Sequence, residues 1–123
     1  MYLCPMHKIK LNNVRVFTNH GCLDEEERIG SDYRVDLEIS ADLTKSAQTD
    51  HLKDTVDYVS LNRIIKEEMA IRSKLLEQVA KRILDRIFKE EPLVQQATVQ
   101  VAKINPPIGG DVESVIIEMS ESR

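Results

Sequence analysis

The stretch from Tyr33 to Leu43 alternates without a break. Tyr33, Val35, Leu37, Ile39, Ala41 and Leu43 take one parity, and Arg34, Asp36, Glu38, Ser40 and Asp42 take the other. Successive side chains on a strand point to opposite sides, so this segment predicts a strand with one apolar and one polar face. A strand buried on both faces in a parallel sheet reads as a nearly continuous apolar run instead. The pattern therefore favours an antiparallel sheet with a single covered face, and the cover has to come from elsewhere in the chain.

Two amphipathic segments supply it. Val59 to Ile71 predicts a first helix, with Leu61, Ile64, Ile65 and Met69 as its stripe. A second helix is expected from Ser73, as N-cap, to about Lys89, ended by Glu90-Glu91-Pro92. Advancing ~100° per residue from Leu76 puts Ala80, Ile83 and Ile87 close beside it, with Leu84 and Phe88 extending the arc. Three further strands are expected. His7 to Phe17 changes parity at Asn12-Asn13, which predicts a β-bulge there. Gln96 to Lys103 and Glu113 to Ser120 flank the irregular loop Asn105-Pro106-Pro107-Ile108-Gly109-Gly110, with Val99, Val101, Val115, Ile117 and Met119 facing inward. Thr18 to Asp32 and Thr44 to Tyr58 are expected to be polar connections. The order strand, strand, helix, helix, strand, strand predicts an α+β fold, in which two helices cover one face of a four-stranded antiparallel sheet. Arg15, Arg34, Asp36, Glu38, Gln100 and Glu118 belong to the other, polar face. Uncovered sheet edges predict pairing between copies of the chain, as a homo-oligomer closed into a ring around a polar lumen.

The chain has 123 residues, is 41% hydrophobic and has a net charge of −4. One domain spanning 1–123 is expected. No basic patch with interleaved aromatics predicts a nucleic-acid partner, and no apolar run suits a membrane span. The first residues lack the apolar core of a secretion signal, and Cys4 and Cys22 lack ligand spacing, so a cytoplasmic protein with reduced thiols is expected. His7, His20 and His51 are scattered, which predicts no metal site. No phosphate-binding glycine loop is present, since Gly109-Gly110 opens no helix, and no cofactor is expected.

Four side chains stand out chemically. Glu77 falls at the edge of the apolar arc, in the first turn of the second helix. It is either a solvated partner of the helix N-terminus or a carboxylate in a pocket awaiting hydrogen-bond donors. Lys103 shares the inward parity of Val99 and Val101. It is either a snorkelling strand-end lysine or an amine in the same pocket as Glu77. Tyr58 is either a boundary aromatic or a phenol that stacks on a ligand and relays protons. Glu26, in the run Glu25-Glu26-Glu27, reads first as part of a solvated loop.

Taken in order, His20-Gly21 with Glu26 and Gly30, Asp54-Thr55-Val56-Asp57-Tyr58, Leu75-Leu76-Glu77 with Val79-Ala80, and Lys103 with Pro106-Pro107 resemble the dihydroneopterin aldolases of folate biosynthesis. The resemblance runs from about His7 to Met119; Thr18-Asn19 depart from it, standing where that family usually has a glycine and an aromatic. It implies the tunnelling fold, a ββααββ unit whose copies form a barrel in stacked rings, a tetramer or octamer. It implies retro-aldol cleavage of a small-molecule pterin substrate, 7,8-dihydroneopterin, to 6-hydroxymethyl-7,8-dihydropterin and glycolaldehyde, without metal, cofactor or lysine Schiff base. Glu77 and the backbone of Leu76 would anchor the pterin, and Lys103 would be the general acid/base. Tyr58 would stack or shuttle protons from a neighbouring subunit. Glu26, chosen among the three glutamates by its spacing to Gly21 and Gly30, would orient the side-chain hydroxyls and the catalytic water. An epimerase acting on dihydroneopterin or its triphosphate, and a non-catalytic pterin-binding ring, are the alternatives.

Overall fold

The computed structural model describes residues 6–23 and 28–123. Among these the elements run β1 (His7–Thr18), β2 (Ser31–Ala41), a short helix α1 (Thr44–Thr49), a 3-10 turn (Leu52–Asp54), α2 (Tyr58–Met69), α3 (Leu76–Glu90), β3 (Gln96–Ile104) and β4 (Ser114–Ser122). The strands form one sheet in the order β1-β2-β3-β4, and every neighbouring pair is antiparallel.

The parity of β2 decides the layering. Tyr33, Val35, Leu37, Ile39 and Ala41 are buried, and so are Val99 and Val101 on β3. Leu61, Ile64, Ile65 and Met69 of α2 and Val79, Ala80, Ile83, Leu84 and Ile87 of α3 close over them. Ile117 and Met119 of β4 pack at the margin of this core. The opposite face is polar, as its sequence requires. Glu38 takes Lys8 and Lys10, each at 3.4 Å, Arg34 pairs with Asp36 at 2.9 Å, and Gln100 Nε2 donates to Glu118 at 2.7 Å.

The expected bulge is present. Leu11 pairs with Leu37 and Val14 with Val35, so Asn12-Asn13 oppose a single residue of β2. Asn13 has φ 57°, a left-handed conformation that asparagine tolerates better than most residues. Its N–H donates to Asp36 Oδ1 at 2.6 Å, so a carboxylate serves a donor that has left the ladder.

Two expectations need correction. The connection from Thr44 to Tyr58 holds α1 and the 3-10 turn, which bury none of their residues. Polar contacts build them: Thr44 N–H donates to Asp42 Oδ1 at 2.9 Å, and Asp54 receives Thr49 Oγ1 at 2.6 Å and Lys45 at 3.4 Å. An apolar period carries no trace of such contacts. The N-cap of α3 is Leu75, not Ser73, and it makes no side-chain cap bond. The Ser73 hydroxyl instead accepts from the Arg82 guanidinium. Arg82 also donates to the Glu68 and Ile71 carbonyls, at 3.0 and 2.8 Å. The turn between α2 and α3 is thus braced from α3, and Ser73 is spent on the brace. The start of α2 is capped in the ordinary way, by Asp57 accepting from Val59 N–H at 2.9 Å.

Candidate active site

At the end of the sheet where β3 finishes, a cavity of about 350 Å³ opens between the β1–β2 connection and the start of α3. His20 to Leu23 form one wall and Lys74 to Glu77 another. Lys103, Pro106, Pro107, Ile108, Val115 and Ile117 complete it. The volume lies within the ~300–1,000 Å³ usual for small-molecule sites. Lys103, Glu77 and Leu76, singled out from the sequence, meet here. Tyr58 does not: it begins α2, is 64% exposed and is not among the lining residues. Glu26 lies outside the described residues.

Lys103 reaches the cavity because of register. It pairs across the sheet with Tyr33, at the last inward-facing position of β3. Only 6% of it is exposed. Its Nζ donates to the His20 carbonyl at 3.0 Å and lies 5.8 Å from the centroid of the Tyr33 ring. Burial penalises the ammonium and holds the amine below the ordinary lysine value of 10.5. An amine so placed can take or give a proton nearer to neutrality than a surface lysine can.

Glu77 arrives on the first turn of α3, beside the buried arc. In the single chain it is exposed while lining the cavity. Its N-cap residue, Leu75, makes no side-chain cap bond, and the N–H groups of a helix's first turn lack partners within the helix. Donors from the backbone at Leu76 and an accepting carboxylate at Glu77 thus lie side by side on one wall, opposite in hydrogen-bonding sense.

His20 is the residue whose part the sequence did not reveal. It is fully buried. Its Nδ1 accepts from Ser73 N–H at 3.0 Å, which assigns the proton of the neutral ring to Nε2. Nε2 is buried with no hydrogen-bond partner among the described residues. Burial holds the imidazole below its ordinary value of 6.5; Arg82, Lys103 and Arg72 act in the same sense, and the Met69 carbonyl opposes. The backbone of His20 is gripped by Tyr33: His20 N–H donates to the phenol oxygen at 3.0 Å, and the phenol donates to the His20 carbonyl at 2.8 Å. Gly21 N–H donates to Ser73 O at 2.9 Å, and Arg72 donates to Gly21 O at 2.7 Å. A signal for this was available, since His20-Gly21 comes one residue after the end of β1 and Tyr33 stands on the inward face. Their meeting depends on the path of the loop, which no periodicity records.

Fold and cavity together define an α+β protein with a cavity of ligand size whose walls carry an amine and a carboxylate. The dihydroneopterin aldolase family model matches residues 9–120. A dihydroneopterin aldolase of Bacillus subtilis (strain 168) is 35% identical over 119 residues, covering 96% of this chain and 99% of that protein. One from Streptococcus pyogenes serotype M18 is 36% identical over 122 residues, covering 96% and 100%. Among solved structures, E. coli dihydroneopterin aldolase in complex with neopterin superposes with a TM-score of 0.86 at 18% identity, covering 94% of this chain and 99% of that one. A Burkholderia thailandensis relative bound to guanine superposes at 0.77 and 17% identity, covering 96% and 92%. The chain belongs to the dihydroneopterin aldolase family.

Proposed function

We propose that this cavity binds 7,8-dihydroneopterin and cleaves it by a retro-aldol reaction, giving 6-hydroxymethyl-7,8-dihydropterin and glycolaldehyde for folate biosynthesis. The observation that carries the reading is the joint placement of Glu77 and Lys103 on one apolar cavity of ligand size. Neopterin and guanine, held by the two structural relatives, share a flat 2-amino-4-oxopyrimidine ring. Such a ring offers coplanar N–H donors to a carboxylate, a bidentate charge-assisted pair. Glu77 is that acceptor, and the backbone at Leu76 meets the neighbouring acceptor edge of the ring.

The reaction then needs proton transfers. A base takes the proton from the second side-chain hydroxyl, and the C–O bond becomes the carbonyl of glycolaldehyde. The adjacent carbon–carbon bond breaks, and its electron pair moves into the ring imine to leave an enamine. An acid returns a proton to the side-chain carbon. The ring is its own electron sink, so the proposed mechanism uses neither a metal nor an imine on lysine. Lys103 is the acid/base, directly or through a water, because its buried amine gives up a proton more readily than an exposed one. Glu26 orients the hydroxyls and the water.

Tyr58 is assigned to the cavity of a neighbouring copy. Its exposure supports this, as do the two sheet edges, β1 and β4, which carry the exposed Phe17 and Ile116. Edge pairing would close a barrel in stacked rings, a tetramer or octamer, with the ion-paired face as its lumen. The exposed free thiol of Cys22 suits a reducing compartment, the cytosol. Incubation with 7,8-dihydroneopterin and separation of the products tests the function. Glycolaldehyde release is expected. The stereoisomer alone would mean an epimerase, and unchanged substrate a binding protein. Mixing Lys103→Met and Tyr58→Ala chains tests the shared site: activity recovered in the mixture is expected, and none would separate Tyr58 from its neighbour's cavity.

A further inference from the structure

The amine of Lys103 is aimed by a backbone carbonyl, and that carbonyl is itself held. The His20 oxygen receives Lys103 Nζ at 3.0 Å and the Tyr33 hydroxyl at 2.8 Å. The same hydroxyl accepts from His20 N–H at 3.0 Å, so one phenol grips both ends of the residue that orients the lysine. Tyr33 and Lys103 are direct partners across the sheet, and Tyr33 is 1% exposed. A phenylalanine would fill the same space in the core. The hydroxyl is therefore surplus to packing, and its bonds are directed at His20. We infer that the Tyr33 hydroxyl is a positioning group for Lys103, acting through the His20 peptide. This rests on the acid/base role of Lys103 proposed above.

The two ends of His20 do separate jobs. Its backbone serves the lysine through Tyr33. Its ring and Gly21 tie instead to Ser73, three residues before the anchor helix, by Ser73 N–H to Nδ1 at 3.0 Å and Gly21 N–H to Ser73 O at 2.9 Å. Removing the hydroxyl of Tyr33 disturbs the first set and leaves the second. The lysine should lose its aim while Glu77 keeps its place. Two donors on one carbonyl also compete, since each draws on the same oxygen. Without the phenol, that oxygen is a better acceptor for the ammonium, and the charged form of Lys103 gains. Among the described residues, the groups that face the amine are His20 from the β1–β2 connection, Tyr33 from β2 and Glu77 across the cavity from α3, with Arg72 and Arg82 beyond His20; Val115, its partner on β4, is apolar.

The test is Tyr33→Phe beside wild type and Lys103→Met, with kcat and KM for 7,8-dihydroneopterin measured across pH and neopterin affinity measured separately. The expected result for Tyr33→Phe is a kcat lower by roughly 10- to 100-fold, the scale of a small misplacement of a reacting group. KM and neopterin affinity stay near wild type, and the pH limb that disappears in Lys103→Met moves to higher pH. Wild-type kcat and an unmoved limb in Tyr33→Phe would overturn the proposal, even if the variant melts earlier, because Tyr33 would then be purely structural. Full turnover with the limb intact in Lys103→Met would instead bring down the acid/base reading itself. Should Tyr33→Phe fail to fold, 3-fluorotyrosine at position 33 carries the test. It keeps the shape and strengthens the phenol as a donor, so the limb should move the other way, to lower pH; an unmoved limb would overturn the proposal.

Discussion

The two walls of the cavity are built to different standards. The Lys103 wall is finished in the single chain: the amine is buried, bonded to the His20 carbonyl, and backed by a phenol that is itself bonded twice. The Glu77 wall is open, with an exposed carboxylate on the first turn of a helix whose N-cap residue, Leu75, makes no side-chain cap bond. The proposed roles account for the difference: a proton-transfer group must be held in position before the substrate arrives, since its efficiency depends on distance and direction. An anchor can wait for its ligand. Solvated carboxylate and helix N–H groups cost little when empty and exchange water for ligand on binding.

This contrast can be broken by substitution at either wall. Lys103→Met should produce the largest effect, a fall in kcat of about 10²–10⁴-fold, the usual worth of a general acid/base, with neopterin binding nearly intact. Steady-state kinetics beside a binding titration would show it, and an equal loss in both would merge the two roles. Glu77→Ala should do the converse. Losing a charge-assisted pair costs about 1.5–3 kcal/mol, or ~10- to 150-fold in affinity, and kcat at saturation should fall less.

Stability sharpens the same comparison. His20 is held below its ordinary value of 6.5 in the folded chain. As pH falls through 6.5 the unfolded chain takes the proton first, so stability that is complete above that pH is lost on the way down to the folded value. Urea unfolding across this range should therefore slope less steeply for His20→Asn than for wild type, whatever its absolute stability. Equal slopes would mean that the folded imidazole titrates freely. The smallest effect belongs on the polar sheet face. Glu38 sits among solvated lysines, and Glu38→Gln should leave the melting temperature within measurement scatter, as exposed ion pairs contribute little.

The layered fold was legible because it depends on period. The alternation of β2, the stripes of both helices and the parity change at Asn12-Asn13 each report a local geometry that repeats along the chain. Glu77 and Lys103 were legible for the same reason, being polar residues at positions whose neighbours are apolar. The start of α3 was misread because Ser73 has the chemistry of a cap but is taken by Arg82, a residue nine places further on. The short helix α1 left no apolar trace because it buries none of its residues.

By itself, then, the order of residues determined which faces are apolar and hence the layers, since burial depends on a side chain's own character and its place in a repeat. Only the tertiary structure decided that the backbone of His20 would meet Tyr33 and Lys103. That contact joins a loop to two strands and depends on where a non-repeating segment travels. On the His20 side it is made by a main-chain N–H and carbonyl, groups that every residue carries and that leave no mark in a sequence.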